Sequence, residues 1–253
     1  MKLGAQLYTV RAFCRDLASL DETLKKVADI GYRSVQLSGG CAYDADWMAE
    51  RLTAYGLTCD LTHYDYQKLI TQTEKTIAHH KRMACRYIGL GYSARLQKED
   101  EFLAFTEELR AVLPMLCAAG HKFMYHNHHH EFARRDSKTL LEHLCDAFSK
   151  EELGITLDCY WAQAGGADPA EWLNKLSGRV DCVHYKDMVY SLADKAPRMA
   201  VVGEGNMNYP AIIKASHDAG VKYAFVEQDD CYGEDPFDCL KRSYEYLKAE
   251  GLS

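Results

Sequence analysis

Gly178-Arg179-Val180-Asp181-Cys182-Val183-His184-Tyr185-Lys186-Asp187 carries the fold in miniature. The glycine follows Pro169–Leu176, whose apolar residues recur at helical spacing, and it suits the left-handed conformation that ends a helix. A run of β-forming residues, Asp181–Tyr185, comes next and closes on polar side chains. Reading outward in both directions returns the same order of joint, strand and helix. Strand-like runs fall at Leu3–Tyr8, Ser34–Leu37, Thr58–Thr62, Tyr87–Leu90, Lys122–His126, Gly154–Asp158, Asp181–Tyr185 and Lys222–Glu227. Gly31, Gly56, Gly120, Gly154, Gly178 and Gly220 stand before or at the start of six of them. Helical patterns occupy Leu20–Ile30, Asp46–Tyr55, Glu101–Ala119, Thr139–Phe148, Pro169–Leu176, Tyr209–Ala219 and Phe237–Glu250.

Eight strand and helix units in 253 residues predict an α/β fold, a (β/α)8 barrel forming a single domain over 1–253. An open doubly wound sheet would carry a glycine-rich phosphate turn after its first strand, where this chain has Leu7-Tyr8-Thr9-Val10-Arg11. Hydrophobic residues make up 47% and charged residues 26%, with only five prolines, which is ordinary globular composition. A net charge of -7 disfavours nucleic acid and anionic membranes as partners. The ten cysteines form no C-x-x-C pair, so neither a disulfide framework nor a zinc knuckle is indicated. Without a signal-like start or a long apolar run, the expectation is a cytoplasmic protein, with a homo-oligomer left open.

In a barrel of this kind the reactive groups sit at the C-terminal strand ends. Strand five closes on Tyr125-His126-Asn127-His128-His129-His130-Glu131, strand six on Asp158, strand seven on His184-Tyr185-Lys186-Asp187 and strand eight on Glu227. Any one of these has an ordinary explanation, the aspartate as a helix cap or the histidine as a satisfied structural group. Ligand-type residues on four consecutive strand ends point instead to one shared cation, because buried carboxylates and imidazoles are costly without compensation. Asp158, Glu227 and His184, with His126 or His128, suit Mn²⁺ first, with Zn²⁺, Co²⁺ or Fe²⁺ as alternatives. His126 is in phase with Met124 and His128 along the strand, and either histidine can be the ligand.

Taken with Gln6-Leu7-Tyr8-Thr9-Val10-Arg11, Leu157-Asp158-Cys159-Tyr160-Trp161, Gly203-Glu204-Gly205-Asn206 and Val226-Glu227-Gln228-Asp229, these motifs resemble the sugar isomerase and epimerase group of the xylose-isomerase-like barrels. That group also contains inosose dehydratases and apurinic endonucleases. The resemblance spans nearly the whole chain. It implies a metal held from strands five to eight, with Asp158, His184 and Glu227 at matching positions and His126 where the ketose epimerases have a glutamate. The nuclease branch has further metal ligands near Trp161 and Gly203-Glu204-Gly205, and this chain lacks them.

The chemistry expected is enolisation of a keto-sugar or related polyol, the cation stabilising an enediolate while a neighbouring carbon loses a proton. Glu227 is the first candidate for the base, with His126 as its rival and Lys186 as a catalytic or ion-paired cation. His128, Trp161, His63, Tyr8 and Glu204 are candidate substrate contacts, and Tyr160 a possible wall. His79 and His80 read as an exposed helix face. An isomerase or epimerase is the primary expectation. The alternative is a lyase or dehydratase acting on an inosose-like keto-polyol or a 3-keto-glycoside. A sugar-binding barrel without catalysis is the third.

Overall fold

In the computed structural model, which describes residues 1–252, eight parallel strands close into a barrel, each hydrogen-bonded to its neighbours in chain order. They are β1 (Lys2–Gln6), β2 (Ser34–Leu37), β3 (Thr58–His63), β4 (Tyr87–Leu90), β5 (Lys122–His126), β6 (Leu153–Asp158), β7 (Cys182–Tyr185) and β8 (Tyr223–Val226). Pairing of Gly4 with Phe225 across β1 and β8 completes the ring. Glycine is required at that point, since a Cβ on Gly4 would stand 2.5 Å from the Phe225 ring.

Helices α1 (Leu17–Ile30), α2 (Ala45–Ala54), α3 (Tyr66–Thr71), α4 (Thr73–Arg82), α5 (Glu99–Ala118), α6 (Leu140–Ala147), α7 (Cys159–Ala164), α8 (Pro169–Lys175), α9 (Tyr209–Asp218) and α10 (Pro236–Ala249) occupy the connections. Their starts are written in the sequence. Asp16 with Ser19 and Thr139 with Glu142 form reciprocal caps, while prolines open α8, α9 and α10 where a missing N–H costs nothing. Five of the six joint glycines hold positive φ, from +63° at Gly56 to +127° at Gly31. Gly154 differs, lying inside β6 against the Met124 side chain.

Alternation along each strand divides the core. Leu61, Tyr87, Met124, Cys182 and Phe225 form one buried cluster, and residues such as Ile88, Tyr125, Ile155, Leu157 and Val183 belong to the larger one. Each fully buried aliphatic side chain contributes about 1.5–3 kcal/mol.

Several expectations are corrected. β1 stops at Gln6, because Leu7–Phe13 winds into a 3-10 helix whose entry is capped by the Gln6 side chain accepting from the Tyr8 N–H at 2.9 Å. α3, α4 and α7 were not marked by the apolar pattern. Strand seven is followed by an antiparallel hairpin, Asp187–Ser191 with Ala196–Ala200. His80 is fully buried and not on an exposed face: its Nδ1 donates to Thr76 O at 2.8 Å, and its Nε2 lies 2.9 Å from Thr62 Oγ1. No helix among the described residues is long and apolar enough to cross a membrane.

Candidate metal and active site

His126 ends β5, Asp158 ends β6, His184 is the third residue of β7, and Glu227 follows β8. Parallel register sets Asp158 beside His184 and Phe225, two residues before Glu227, beside His184 from the other flank. All four side chains are buried, and one potential ligand atom from each lies within 4.8 Å of the other three. Of the two strand-five histidines considered, His126 is the one in this cluster.

Hydrogen bonds on the far side of each imidazole fix what faces inward. His126 Nδ1 is 2.9 Å from the Gly91 carbonyl, which can only accept, so the proton is on Nδ1. In the neutral ring Nε2 then presents a lone pair to Asp158 Oδ2 at 3.1 Å. His184 Nε2 donates to Gln36 Oε1 at 2.7 Å, and its Nδ1 stands 2.8 Å from Glu227 Oε2. Neither His184 Nδ1 nor Glu227 Oε2 makes an aligned hydrogen bond. Two carboxylates and two imidazoles converging in a buried space are a ligand set that a cation would suit, and imidazoles oriented from behind by amide or carbonyl oxygen are the usual backing of metal ligands.

Lys186 lies directly beside them. Its Nζ is 3.0 Å from Asp158 Oδ2, 2.9 Å from Glu227 Oε2 and 2.9 Å from Asp229 Oδ1. Burial disfavours its charge, but the three carboxylates overcome this and hold its pKa above the ordinary lysine value. Conversely, burial would raise Asp158 and Glu227, and the Lys186 ammonium pulls both well below the usual carboxylate range. For His184 burial opposes protonation, and the charges of Glu227 and Asp158 reverse it, raising the pKa. Asp229, by burial and then by its neighbour Glu227, is pushed up to about 7. Asp158, Glu227 and Asp229 share the single Lys186 ammonium, which makes the cluster a set of oxygen and nitrogen donors suited to a divalent ion.

Stepping two residues along each strand end reaches the next layer: Gln6 to Tyr8, Gln36 to Ser38, His126 to His128, His184 to Lys186 and Glu227 to Asp229. The layer lines a cavity of about 390 Å³ with His63, Gly91 and Tyr92. His128 therefore stands beside the cluster and not within it. Burial first, then the adjacent His126, pushes its pKa down to about 3, and its Nδ1 has no hydrogen-bond partner. His63 is driven well below the usual histidine range by burial and by His126 and His184, and its Nδ1 meets Ser38 Oγ at 3.2 Å. Trp161 backs the site, its ring 5.4 Å from that of His128 and 5.8 Å from the Lys186 ammonium. Glu131, fully buried, fixes the strand-five turn by accepting from the Tyr125 hydroxyl at 2.7 Å and the His128 amide at 2.8 Å.

Glu204 is the exception among the expected residues. It is exposed and pairs with Arg242 on α10 at 3.3 Å, away from the cavity. Nor does Lys186 pair with Asp187, whose carboxylate instead accepts from the amides of Met188, Gly203, Gly205 and Met207. Asp229 and Gln36 were missed. The period-two step from Glu227 would have found Asp229, whereas a neutral amide such as Gln36 gives no ligand signal in sequence.

A family model described as xylose isomerase-like TIM barrel matches residues 24–249. The chain belongs to this family. Among solved structures, this xylose isomerase-like barrel is similar to a sugar phosphate isomerase/epimerase from Parabacteroides distasonis, with 21% identity over 99% of this chain and 94% of that one and a TM-score of 0.82. It is also similar to the probable 3-DHS dehydratase involved in petrobactin synthesis from Bacillus anthracis, with 16% identity over 98% of this chain and 99% of that one and a TM-score of 0.75. An L-ribulose 3-epimerase gives 16% identity, 98% and 94% coverage and the same TM-score of 0.75. Among curated proteins no sequence match was found.

Proposed function

We propose that this barrel is a divalent-metal-dependent isomerase or epimerase that moves a proton beside the carbonyl of a keto-sugar or related polyol through an enediolate, with Mn²⁺ as the preferred ion. One observation carries the reading: His126 Nε2 and His184 Nδ1 face Asp158 and Glu227 at 3.1 and 2.8 Å, each histidine held from behind by an oxygen acceptor. His126, Asp158, His184 and Glu227 would hold the ion, which would supply charge stabilisation for a carbonyl and its neighbouring hydroxyl and so acidify the adjacent carbon.

The chain's own groups do the rest. Glu227 accepts the proton; the Lys186 ammonium at 2.9 Å makes it a weak base, adequate only for an activated carbon. Lys186 also holds Asp158 and Asp229 in place. His128 and His63 present neutral imidazoles to the substrate hydroxyls, and Tyr8 and Tyr92, partly exposed at the cavity mouth, flank the ring.

Elimination is the second reading. Where an epimerase of the two-carboxylate kind would need a second acid opposite Glu227, this cavity offers only His126 and His128, and an enediolate not reprotonated from that side can instead expel an oxygen substituent, which takes its proton from water. The similarity to both an epimerase and a dehydratase is compatible with either outcome. Incubation of keto-sugars and 3-keto-glycosides in D₂O with Mn²⁺ tests the proposal. Deuterium at the carbon beside the carbonyl without loss of atoms supports isomerisation, and release of water or an alcohol supports the lyase. Neither exchange nor elimination with any substrate, in protein shown to contain the ion, overturns both.

A further inference from the structure

We propose that Cys231 and Cys239 form a reactive dithiol, which a hydroperoxide converts to an intramolecular disulfide ahead of the other eight cysteines. All ten cysteines are free. Cys231 lies in the loop after β8 and Cys239 in the first turn of α10, and the two side chains pack with Val201 in a small cluster apart from the main core. Their thiols are close enough to hydrogen-bond to each other. A disulfide therefore needs only a short further approach of the two sulfurs. Cys231 is 9% exposed, and residues 232–235 beside it in the loop are exposed, so a molecule as small as hydrogen peroxide meets the pair near the surface.

A cation sets this pair apart. Arg242, three residues further along α10, donates from Nη2 to Cys239 Sγ at 3.7 Å. The Cys231 thiol and this guanidinium both donate to that sulfur and hold Cys239 below the ordinary thiol range, although burial opposes them. The same contact raises Cys231, which keeps its proton. Elsewhere burial dominates. Cys59 and Cys85 also touch, but both are deeply buried and Cys85 is lifted well above the thiol range. Cys41 donates its amide to Cys14 O at 2.7 Å, yet burial pushes Cys14 up to about 11 and raises Cys41 as well.

The Cys239 thiolate attacks one peroxide oxygen, so that an S–O bond forms as the O–O bond breaks, and the departing hydroxide takes the Cys231 proton to leave as water. Cys231 sulfur then attacks Cys239 Sγ, forming the S–S bond and expelling hydroxide, which solvent protonates. Two thiols and one peroxide thus become a disulfide and two waters. The new bond staples the loop that carries Asp229 to the start of α10.

Treatment of the reduced full chain with one equivalent of hydrogen peroxide, then N-ethylmaleimide and trypsin without reductant, tests this by mass spectrometry. Lys222 and Lys241 bound a tryptic peptide that holds both cysteines, residues 223–241. That peptide should appear lighter by two hydrogens and without maleimide before any other cysteine is oxidised, and dithiothreitol should restore it. Cys231→Ser should halt the reaction at the sulfenic acid of Cys239, which dimedone labels. Arg242→Gln, at a partly exposed position and checked by circular dichroism, should slow disulfide formation by about threefold or more through loss of thiolate. A peptide 223–241 that still takes two maleimides after peroxide, earlier oxidation at another cysteine, no dimedone adduct on Cys239 in Cys231→Ser, or an unchanged rate in Arg242→Gln would overturn the inference.

Discussion

Both ends of the barrel bury charge, but they resolve it differently. At the N-terminal end Asp181 is held by Lys122 and Lys222, each at 2.6 Å, and Asp60 by Ser34 Oγ at 2.6 Å, Thr58 Oγ1 at 2.5 Å and Lys2 at 3.3 Å. Three lysines face two carboxylates there. At the C-terminal end three carboxylates share a single ammonium, with the His126 and His184 imidazoles packed among them. A network that satisfies itself needs only the folded chain. One in which buried carboxylates outnumber the ammonium groups has ligands to offer an ion, and that difference separates a stabilising cluster from a candidate site.

The contrast can be broken most directly at Asp158. Asp158→Asn preserves size and the Oδ1 cap on the Trp161 amide while removing the charge. Divalent-ion affinity, read by calorimetry, should fall at least about 100-fold, since even outer partners of metal ligands are worth about 10–100-fold. Unchanged affinity would mean that the two ends do not differ in kind.

The opposite substitution sharpens the comparison. Asp181→Asn should lower unfolding stability by about 2–3 kcal/mol in a urea titration and leave ion affinity untouched. Burial would raise the Asp181 carboxyl, yet Lys122 and Lys222 hold it below the ordinary value of 3.8. A depressed folded-state pKa gives stability that is complete above the unfolded value and lost as the pH falls through the folded one. Below about pH 3.8 the native chain should therefore lose stability more steeply than Asp181→Asn, and parallel acid limbs would contradict the pairing. The mildest effect is expected at Gln36. Gln36→Leu removes the acceptor behind His184 and should weaken ion binding by about tenfold with the barrel intact, as judged by circular dichroism.

The fold was legible because its units repeat a local grammar: glycine to stop a helix, a short β-rich run, polar residues to leave the sheet. Pieces that departed from it were lost. α4, Thr73–Arg82, is polar over most of its length, so no apolar stripe announced it, and the buried His80 passed for surface. The end of β1 was set by a side-chain cap from Gln6, a contact invisible to periodicity. In the site, Asp158, His184 and Glu227 could be read because carboxylates and imidazoles at strand ends are costly without a purpose. Glu204 shared their chemistry but sits in the loop after the hairpin, where sequence proximity to the family motif says nothing about direction. Gln36 on β2 lies across the ring from β7, and only closure of the barrel brings it near His184, whereas Ser38 meets His63 because β2 and β3 are paired neighbours.

One carboxylate has a reach beyond its own neighbourhood. By gripping the amides of Met188, Gly203, Gly205 and Met207, Asp187 ties together both roots of the excursion that leaves the barrel after strand seven. Between those roots the hairpin returns to the rim through Met199, whose Sδ accepts from the Asp229 amide at 3.2 Å. The outer turn between Ser191 and Ala196 is thus the part that can be lengthened or exchanged, while the clamped roots keep the rim in shape.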